Sequence, residues 1–144
     1  MLSIDPAIRQ NRSLFGAAII QLIYGLVELI DSAAIVLIAV GIIPNLYLPF
    51  VNGNPDIYAM FENWPFLFAP IFWFFTSLRL LSAYWLLKNK AKGFWMALFI
   101  SGITFLAVFF LLPFSVIDIL AIWPVIILLF QGYFKDKPIL KDGS

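Results

Sequence analysis

Four long apolar runs, separated by short polar segments, dominate the chain. They cover about residues 14–43, 65–87, 93–112 and 116–134. Each is close to or above the ~20 residues that a helix needs to cross a ~30 Å hydrocarbon core. Open strands would leave backbone groups unsatisfied in lipid. We therefore predict a single all-α integral membrane domain over residues 1–144, built as a four-transmembrane-helix bundle.

The first run carries a polar stripe through its middle. Its members fall within roughly a third of the helix circumference, at about 100° per residue. Two carboxylates at bilayer depth cost about 2.5–3.5 kcal/mol each on insertion scales, so the stripe is expected to face protein or water. The stripe consists of Gln21, Tyr24, Glu28, Asp31 and Ser32.

The link between the first two runs, residues 44–64, contains a short predicted helix. Asn54 is a suitable N-cap and Pro55 suits the first helical position, while apolar residues recur at helical spacing after them. We predict an amphipathic helix over residues 55–63 that lies on the outer interface. It is interpreted as a lid over the bundle, with a substrate gate or a docking surface as alternatives.

The second run carries Arg79, the one basic residue within an apolar run. At 1.5 Å per residue, Arg79 lies ~13 Å from the inner end of its helix and Glu28 ~21 Å from the inner end of the first. Side chains tilt toward the N-terminus of their own helix, so the two heads converge. We predict an ion pair between Glu28 and Arg79, with Asp31 as a possible second acceptor.

The third run places four small side chains on one helix face: Ala97, Ser101, Thr104 and Ala107. Small residues in such an arrangement let two helices approach closely, which is the usual means of association in lipid. The pattern predicts a packing face. It leaves open whether the partner helix belongs to this chain or to a second copy.

The fourth run has two features of interest. Ser115 and Asp118 have the spacing of a capping box at its start, and Pro124 frees one backbone carbonyl within the helix, so a kink is predicted there. Asp118 also has a depth similar to that of Asp31. A shared site of these two carboxylates that holds a proton or a cation is an alternative to two unrelated groups.

Basic residues fall almost entirely on one side of the predicted bundle. Eight of the nine lysines and arginines lie before the first helix, between the second and third, or after the fourth. By the positive-inside rule these segments are cytoplasmic, which predicts a multi-pass protein of the cell membrane with both termini inside. The eight are Arg9, Arg12, Lys88, Lys90, Lys92, Lys135, Lys137 and Lys141.

The amino-acid composition excludes several kinds of functional site. The chain is 63% hydrophobic and 12% charged, and it contains no cysteine and no histidine. Disulfides, thiolate metal sites, histidine-held haem and histidine proton relays are thereby excluded. Asp31 and Asp118 lack the flanking motifs of presenilin-like proteases, and no glycine-rich phosphate loop occurs. We expect no catalysis, no metal, no cofactor and no nucleic-acid partner.

The layout resembles that of the sterol-isomerase and sigma-2-receptor group, with four helices, both ends cytoplasmic and the carboxylates Glu28 and Asp31 on the first helix. That group uses acidic residues on its first two helices around a lipid-facing pocket. Here the second helix carries Arg79 in place of an acid, so the likeness is one of layout and not of motif. It implies a lipid or amphiphile pocket as one alternative.

Three functional hypotheses follow. The first is a non-catalytic accessory or interaction subunit of a membrane complex, or a homo-oligomer, in which a buried ion pair sets helix register. The second is a small transporter or channel that uses Glu28, Asp31 and Arg79 for protons, ions or small solutes, with Asp118 as a further candidate. The third is a bundle that binds a lipid or amphiphile. The expected partners are the lipid bilayer and other membrane subunits or further copies of the chain.

Overall fold

The computed structural model describes residues 4–110 and 116–134. All regular structure in these ranges is helical, and they contain no strand. A single 3₁₀ turn, Pro65–Leu67, leads into the fifth helix. The α-helices are α1 (Pro6–Gln10), α2 (Arg12–Ala39), α3 (Leu48–Val51), α4 (Pro55–Asn63), α5 (Phe68–Leu87), α6 (Ala91–Phe110) and α7 (Val116–Phe134).

Among the described residues, three stretches are long and apolar enough to cross a membrane: Arg12–Ala39, Pro65–Leu87 and Ala91–Phe109. The prediction of an all-helical fold with several membrane-spanning candidates is therefore confirmed. Helix α7 is also strongly apolar and contains Pro124 within its length. Ser115 of the predicted capping box lies outside the described residues.

The first long helix ends earlier than predicted, at Ala39 instead of residue 43. Gly41 adopts a positive φ of 76°. Two hydrogen bonds that are typical of a helix C-terminus end the helix there. The amide of Gly41 donates to the carbonyl of Ile38 at 3.0 Å, and that of Ile42 donates to Leu37 at 2.9 Å. This is a Schellman motif, in which the residue after the helix takes the left-handed conformation that glycine adopts without steric cost.

Helix α4 has the predicted bounds. Its N-cap is Asn54, whose side-chain oxygen accepts from the amide of Ile57 at 3.3 Å. Phe61 is buried, because its ring stacks on that of Phe68 with the centroids 3.9 Å apart. Met60, which the pattern placed on the same face, is 45% exposed. The short helix α3 within the same link was not predicted.

The chain divides into two compact units, Met1–Gly25 with Ser77–Ser144, called here the first unit, and Leu26–Thr76, called the second unit. The core of the first unit is formed by apolar side chains that are almost completely buried. They come from α1, α2, α5, α6 and α7: Ile8, Leu14, Ala17, Ala18, Leu86, Leu87, Phe94, Ala97, Val125 and Leu129.

At one end of the first unit the starts and ends of several helices meet. The amide of Asp5, just before α1, donates to the carbonyl of Leu87 at the end of α5, at 2.9 Å. The side-chain amide of Asn11 donates to the carbonyl of Gly132 near the end of α7, at 3.0 Å. Helix α6 begins only four residues after α5 ends, since Asn89 turns the chain with a φ of 55°. This end of the unit is called the basic end below, for the charged residues that it carries.

The second unit contains the link between α2 and α5. The Ser32 hydroxyl of α2 and the Thr76 hydroxyl of α5, both buried, lie 3.2 Å apart. The side-chain amide of Asn45 donates to the carbonyl of Phe61 at 2.7 Å, which attaches the start of the link to α4. The link is therefore held by hydrogen bonds as well as by its aromatic packing.

Candidate functional site

A completely buried arginine lies within the first unit. The side chain of Arg79, on α5, has no exposed surface. Its Nη1 donates to Oε1 of Gln21 on α2 at 3.1 Å, and its Nη2 donates to Oγ1 of Thr104 on α6 at 2.9 Å. The guanidinium is a rigid fork of donors, so it joins two neighbouring helices at once.

Tyr24 of α2 covers the guanidinium. The Cζ atom of Arg79 lies 4.1 Å from the centroid of the Tyr24 ring. A cation over an aromatic face is attracted by the ring quadrupole, with about 2 kcal/mol for a desolvated pair. The ring therefore stabilises the charge from one side, while the hydrogen bonds hold it in plane.

Gln21 connects Arg79 to the small-residue face of α6. Its side-chain oxygen accepts from Arg79, and its Nε2 donates to Oγ of Ser101 at 2.9 Å and to the carbonyl of Ala97 at 3.4 Å. Gln21, Ala97 and Ser101 are all fully buried. The small side chains thus admit a polar residue of α2 from the same chain.

Thr104 connects Arg79 to the backbone of α6 by two hydrogen bonds. It accepts from Arg79 and donates to the carbonyl of Ile100 at 2.8 Å. One turn further along α5, Ser82 donates to the carbonyl of Arg79 at 2.8 Å. The buried hydroxyl groups of this region are therefore satisfied by hydrogen bonds, as groups removed from water need to be.

The network extends to α7 through Tyr24. The Tyr24 hydroxyl donates to Oδ1 of Asp118, and both residues are half-buried. Asp118 thereby contacts the same tyrosine that covers Arg79. We call the set of Gln21, Tyr24, Arg79, Ser101, Thr104 and Asp118 the Arg79 network. It joins α2, α5, α6 and α7.

Two of the carboxylates that were predicted at bilayer depth, Glu28 and Asp31, belong to the second unit. Both are half-buried. The backbone carbonyl of Glu28 accepts from the hydroxyl of Ser32 at 2.7 Å. The ion pair between Glu28 and Arg79 and the shared site of Asp31 and Asp118 stay predictions.

Asp31 contacts the link in the second unit. The hydroxyl of Tyr47 lies 3.2 Å from Oδ1 of Asp31 and donates to it. Burial, followed by the charge and hydrogen bond of Asp31, raises the pKa of Tyr47 above its ordinary value of 10.0. The Tyr47 ring also lies near those of Phe61 and Phe72, with centroids 5.6 and 6.5 Å away. Tyr47 was not singled out in the sequence, because an isolated tyrosine in a link gives no signal of its partner.

Sequence reasoning singled out every member of the Arg79 network, but it did not predict their contacts. Ser101 and Thr104 were predicted as packing residues, and the structure makes them hydrogen-bond partners as well. Asp118 contacts Tyr24, and the capping box predicted for it with Ser115 stays a prediction. Pro124 lies within α7, and the kink predicted there stays a prediction. Ala107, the last of the small residues, is half-buried.

Within residues 4–110 and 116–134, no group of three or more carboxylates is arranged to hold a metal ion. The polar atoms of the Arg79 network are directed at one another. The arrangement is suited to holding helices in register, and its half-buried edge at Tyr24 and Asp118 is its most accessible part.

No protein-family model matches the sequence, and neither a curated protein nor a solved structure matches the chain.

Proposed function

We propose that the chain is a non-catalytic integral membrane protein of four transmembrane helices that acts as an accessory or interaction subunit of a membrane complex, or as a homo-oligomer. The observation that carries this proposal is the engagement of Arg79, the most deeply buried charge, by Gln21, Thr104 and Tyr24. Its donors are used to join helices and are not directed into an open cleft. This favours a structural role for the polar residues.

The four-span arrangement is supported by the basic end of the first unit. There Asn11, at the start of α2, bonds to Gly132, near the end of α7, while α5 ends and α6 begins close by. Helices that start and end alternately at one end are expected in an up-and-down bundle. Such a bundle has both termini on the same side, and the basic residues there favour the cytoplasm.

Native mass spectrometry of the protein, extracted gently from its own membranes, tests the functional proposal. A complex with further subunits, or a defined homo-oligomer, is the expected result. A strict monomer across several mild detergents would overturn it. Lipid bound at a fixed stoichiometry would instead favour the third hypothesis, a lipid- or amphiphile-binding bundle.

Topology is tested separately with single cysteines, because the chain has none of its own. Gly53→Cys, in the link before α4, and Lys92→Cys, at the start of α6, are both exposed positions. In intact cells a membrane-impermeant maleimide should label Gly53→Cys and should reach Lys92→Cys only after permeabilisation. Labelling of both, or of Lys92→Cys alone, would contradict the proposed orientation.

A second candidate, transport, is favoured by one feature of the Arg79 network. Asp118 and Tyr24 are half-buried and connect an ionisable carboxylate to the ring that covers a buried cation. Intramembrane ionisable residues are functional candidates by default. Proton or cation flux in proteoliposomes that is lost in Asp118→Asn or Glu28→Gln, with folding preserved, would establish this candidate. Absence of flux across pH and ion gradients would remove it.

A further inference from the structure

The basic end of the first unit collects positive charge from two separate parts of the chain. Arg9 and Arg12 are exposed on either side of Asn11, whose side chain bonds to Gly132. The segment that precedes α1 is attached to the end of α5 through the bond from Asp5 to Leu87. The lysine-rich turn between α5 and α6 follows immediately, so both groups of basic residues lie at the same end.

The lysines of this turn are held against aromatic rings. The Nζ atom of Lys92 lies 3.3 Å from the centroid of the Trp85 ring, and that of Lys90 lies 5.6 Å from it. Lys88 lies 5.8 Å from the centroid of the Tyr84 ring. Three lysines therefore lie within one five-residue turn at this end of the unit, each beside an aromatic ring.

Aromatic side chains at the same level are exposed. Tyr84 is 38% and Trp95 58% exposed. Tyrosine and tryptophan are enriched where headgroups meet the hydrocarbon core, since their rings suit an environment with one apolar and one wet side. The charges therefore lie at the depth where lipid phosphates are found, if the long helices cross the membrane as proposed.

Among its described residues the basic end holds one acidic side chain, that of Asp5, whose carboxylate accepts from the amide of Ala7 at 2.8 Å and caps α1. Asp118, the other described acid of the first unit, is 14 residues from Gly132 along α7, or about 21 Å. The described part of the basic end therefore contains five basic side chains and one acidic side chain.

We propose that the basic end binds the phosphate headgroups of anionic phospholipids, with Lys88, Lys90 and Lys92 as the principal contacts and Arg9 and Arg12 as supporting charges. The proposal rests on the membrane insertion proposed above and adds a lipid class to it. Lys90 and Lys92 both lie near the Trp85 ring. A lipid phosphodiester would accept from lysine ammonium groups at this end, while its acyl chains lie against the apolar surface of the helices.

The test is a lipid titration of the purified protein in a neutral detergent, followed by native mass spectrometry. We expect phosphatidylglycerol to bind at least tenfold more tightly than phosphatidylcholine. In the variant with Lys88→Gln, Lys90→Gln and Lys92→Gln, most of this preference should be lost, since each basic residue near an anionic surface contributes up to about fivefold. Equal binding of the two lipids, or an unchanged preference in the variant, would overturn the proposal.

Two control variants and two soluble ligands make the result specific. Replacing the same lysines with arginine keeps the charge and should keep the preference, and Glu62→Gln, an exposed change of charge in the second unit, should leave it unchanged. Inorganic phosphate and glycerol phosphate should not compete at the lipid concentrations used. Competition by either at equal concentration would identify a site for free phosphate and overturn lipid binding. The cysteine labelling described above is read independently, so failure of lipid selectivity and failure of the topology are distinguishable.

Discussion

The guanidinium of Arg79 donates to the side-chain oxygen of Gln21 at 3.1 Å, across 58 positions of sequence. Both residues are completely buried, and each has a further partner on α6. A buried cation depends on each of the groups that hold it, because a donor left without an acceptor bears its full desolvation cost. This relationship is the basis of the first predictions.

Removal of the Gln21 side-chain amide should destabilise the protein. In Gln21→Leu, Nη1 of Arg79 and the hydroxyl of Ser101 lose their bonds to Gln21, and we expect a loss of about 2–3 kcal/mol, the range for hydrogen bonds to charged groups. Thermal unfolding in detergent measures the effect, and a double-mutant cycle with Arg79→Met should show a coupling of about 1 kcal/mol or more. The control is Ile23→Ala, because the Ile23 side chain is 58% exposed. This change should alter the stability of the protein little. Strict additivity of the two changes would contradict the network.

The two contacts of Tyr24 can be separated. Tyr24→Phe keeps the ring over Arg79 and loses the bond to Asp118, so we expect a cost of about 1 kcal/mol. Tyr24→Leu loses the ring as well and should cost about 1–2 kcal/mol more. Asp118→Ala, which removes the acceptor of the Tyr24 hydroxyl, should resemble Tyr24→Phe. Equal stability of the phenylalanine and leucine variants would show that the ring does not stabilise the charge.

The predicted ion pair of Glu28 has its own test. Loss of one partner of a buried ion pair costs about 3–5 kcal/mol, because the other charge is left uncompensated. On that basis Glu28→Gln should lower both the yield and the thermal stability of the protein. In the background of Arg79→Met the same change should cost much less. A fully stable Glu28→Gln variant would count against the pair.

Two glycines of α6 should respond in opposite directions to substitution by alanine. A Cβ at Gly93 would lie 2.6 Å from the carbonyl carbon of Trp85, so the backbones of α5 and α6 would have to separate. Overpacking of this kind costs about 1–3 kcal/mol. At Gly102 a Cβ meets no atom within 4 Å, and helix propensity favours alanine by about 1 kcal/mol. The unfolding temperature should therefore fall in Gly93→Ala and rise in Gly102→Ala. If Gly102→Ala were destabilised as well, the close approach of the backbones at Gly93 would not be the cause of the difference.

Tyr47 should make the second unit sensitive to alkali. Because burial and Asp31 raise the pKa of Tyr47 above its ordinary value of 10.0, the unfolded state ionises at a lower pH than the folded state. The stabilisation from the neutral phenol is complete below about pH 10 and is lost as the pH rises through the folded-state pKa. The absorbance of tyrosinate against pH measures this, with Tyr47→Phe as reference. The variant should lack one tyrosine that ionises above its ordinary pKa of 10.0, and a titration identical to that of the wild type would refute the assignment.

Much of the local structure followed from the sequence. The apolar runs predicted the long helices, and Asn54 with Pro55 predicted the start of α4, because capping depends on neighbouring residues alone. The early end of α2 at Ala39 was missed, although Gly41 was its signal. A glycine within an apolar run is compatible with a continuous helix, and only the backbone bonds of Ile42 show where the chain turns.

The sequence by itself determined which residues are unusual: a polar stripe, one arginine within an apolar run and small residues on α6. These are visible because charge and hydrogen-bonding capacity are costly in an apolar setting. Only the tertiary structure decided that Arg79 bonds to Gln21 and Thr104 under the ring of Tyr24, and that Tyr24 bonds to Asp118. Helical periodicity specifies a face of one helix. The partner that meets this face depends on helix order, rotation and depth, which arise from the packing of all the helices together.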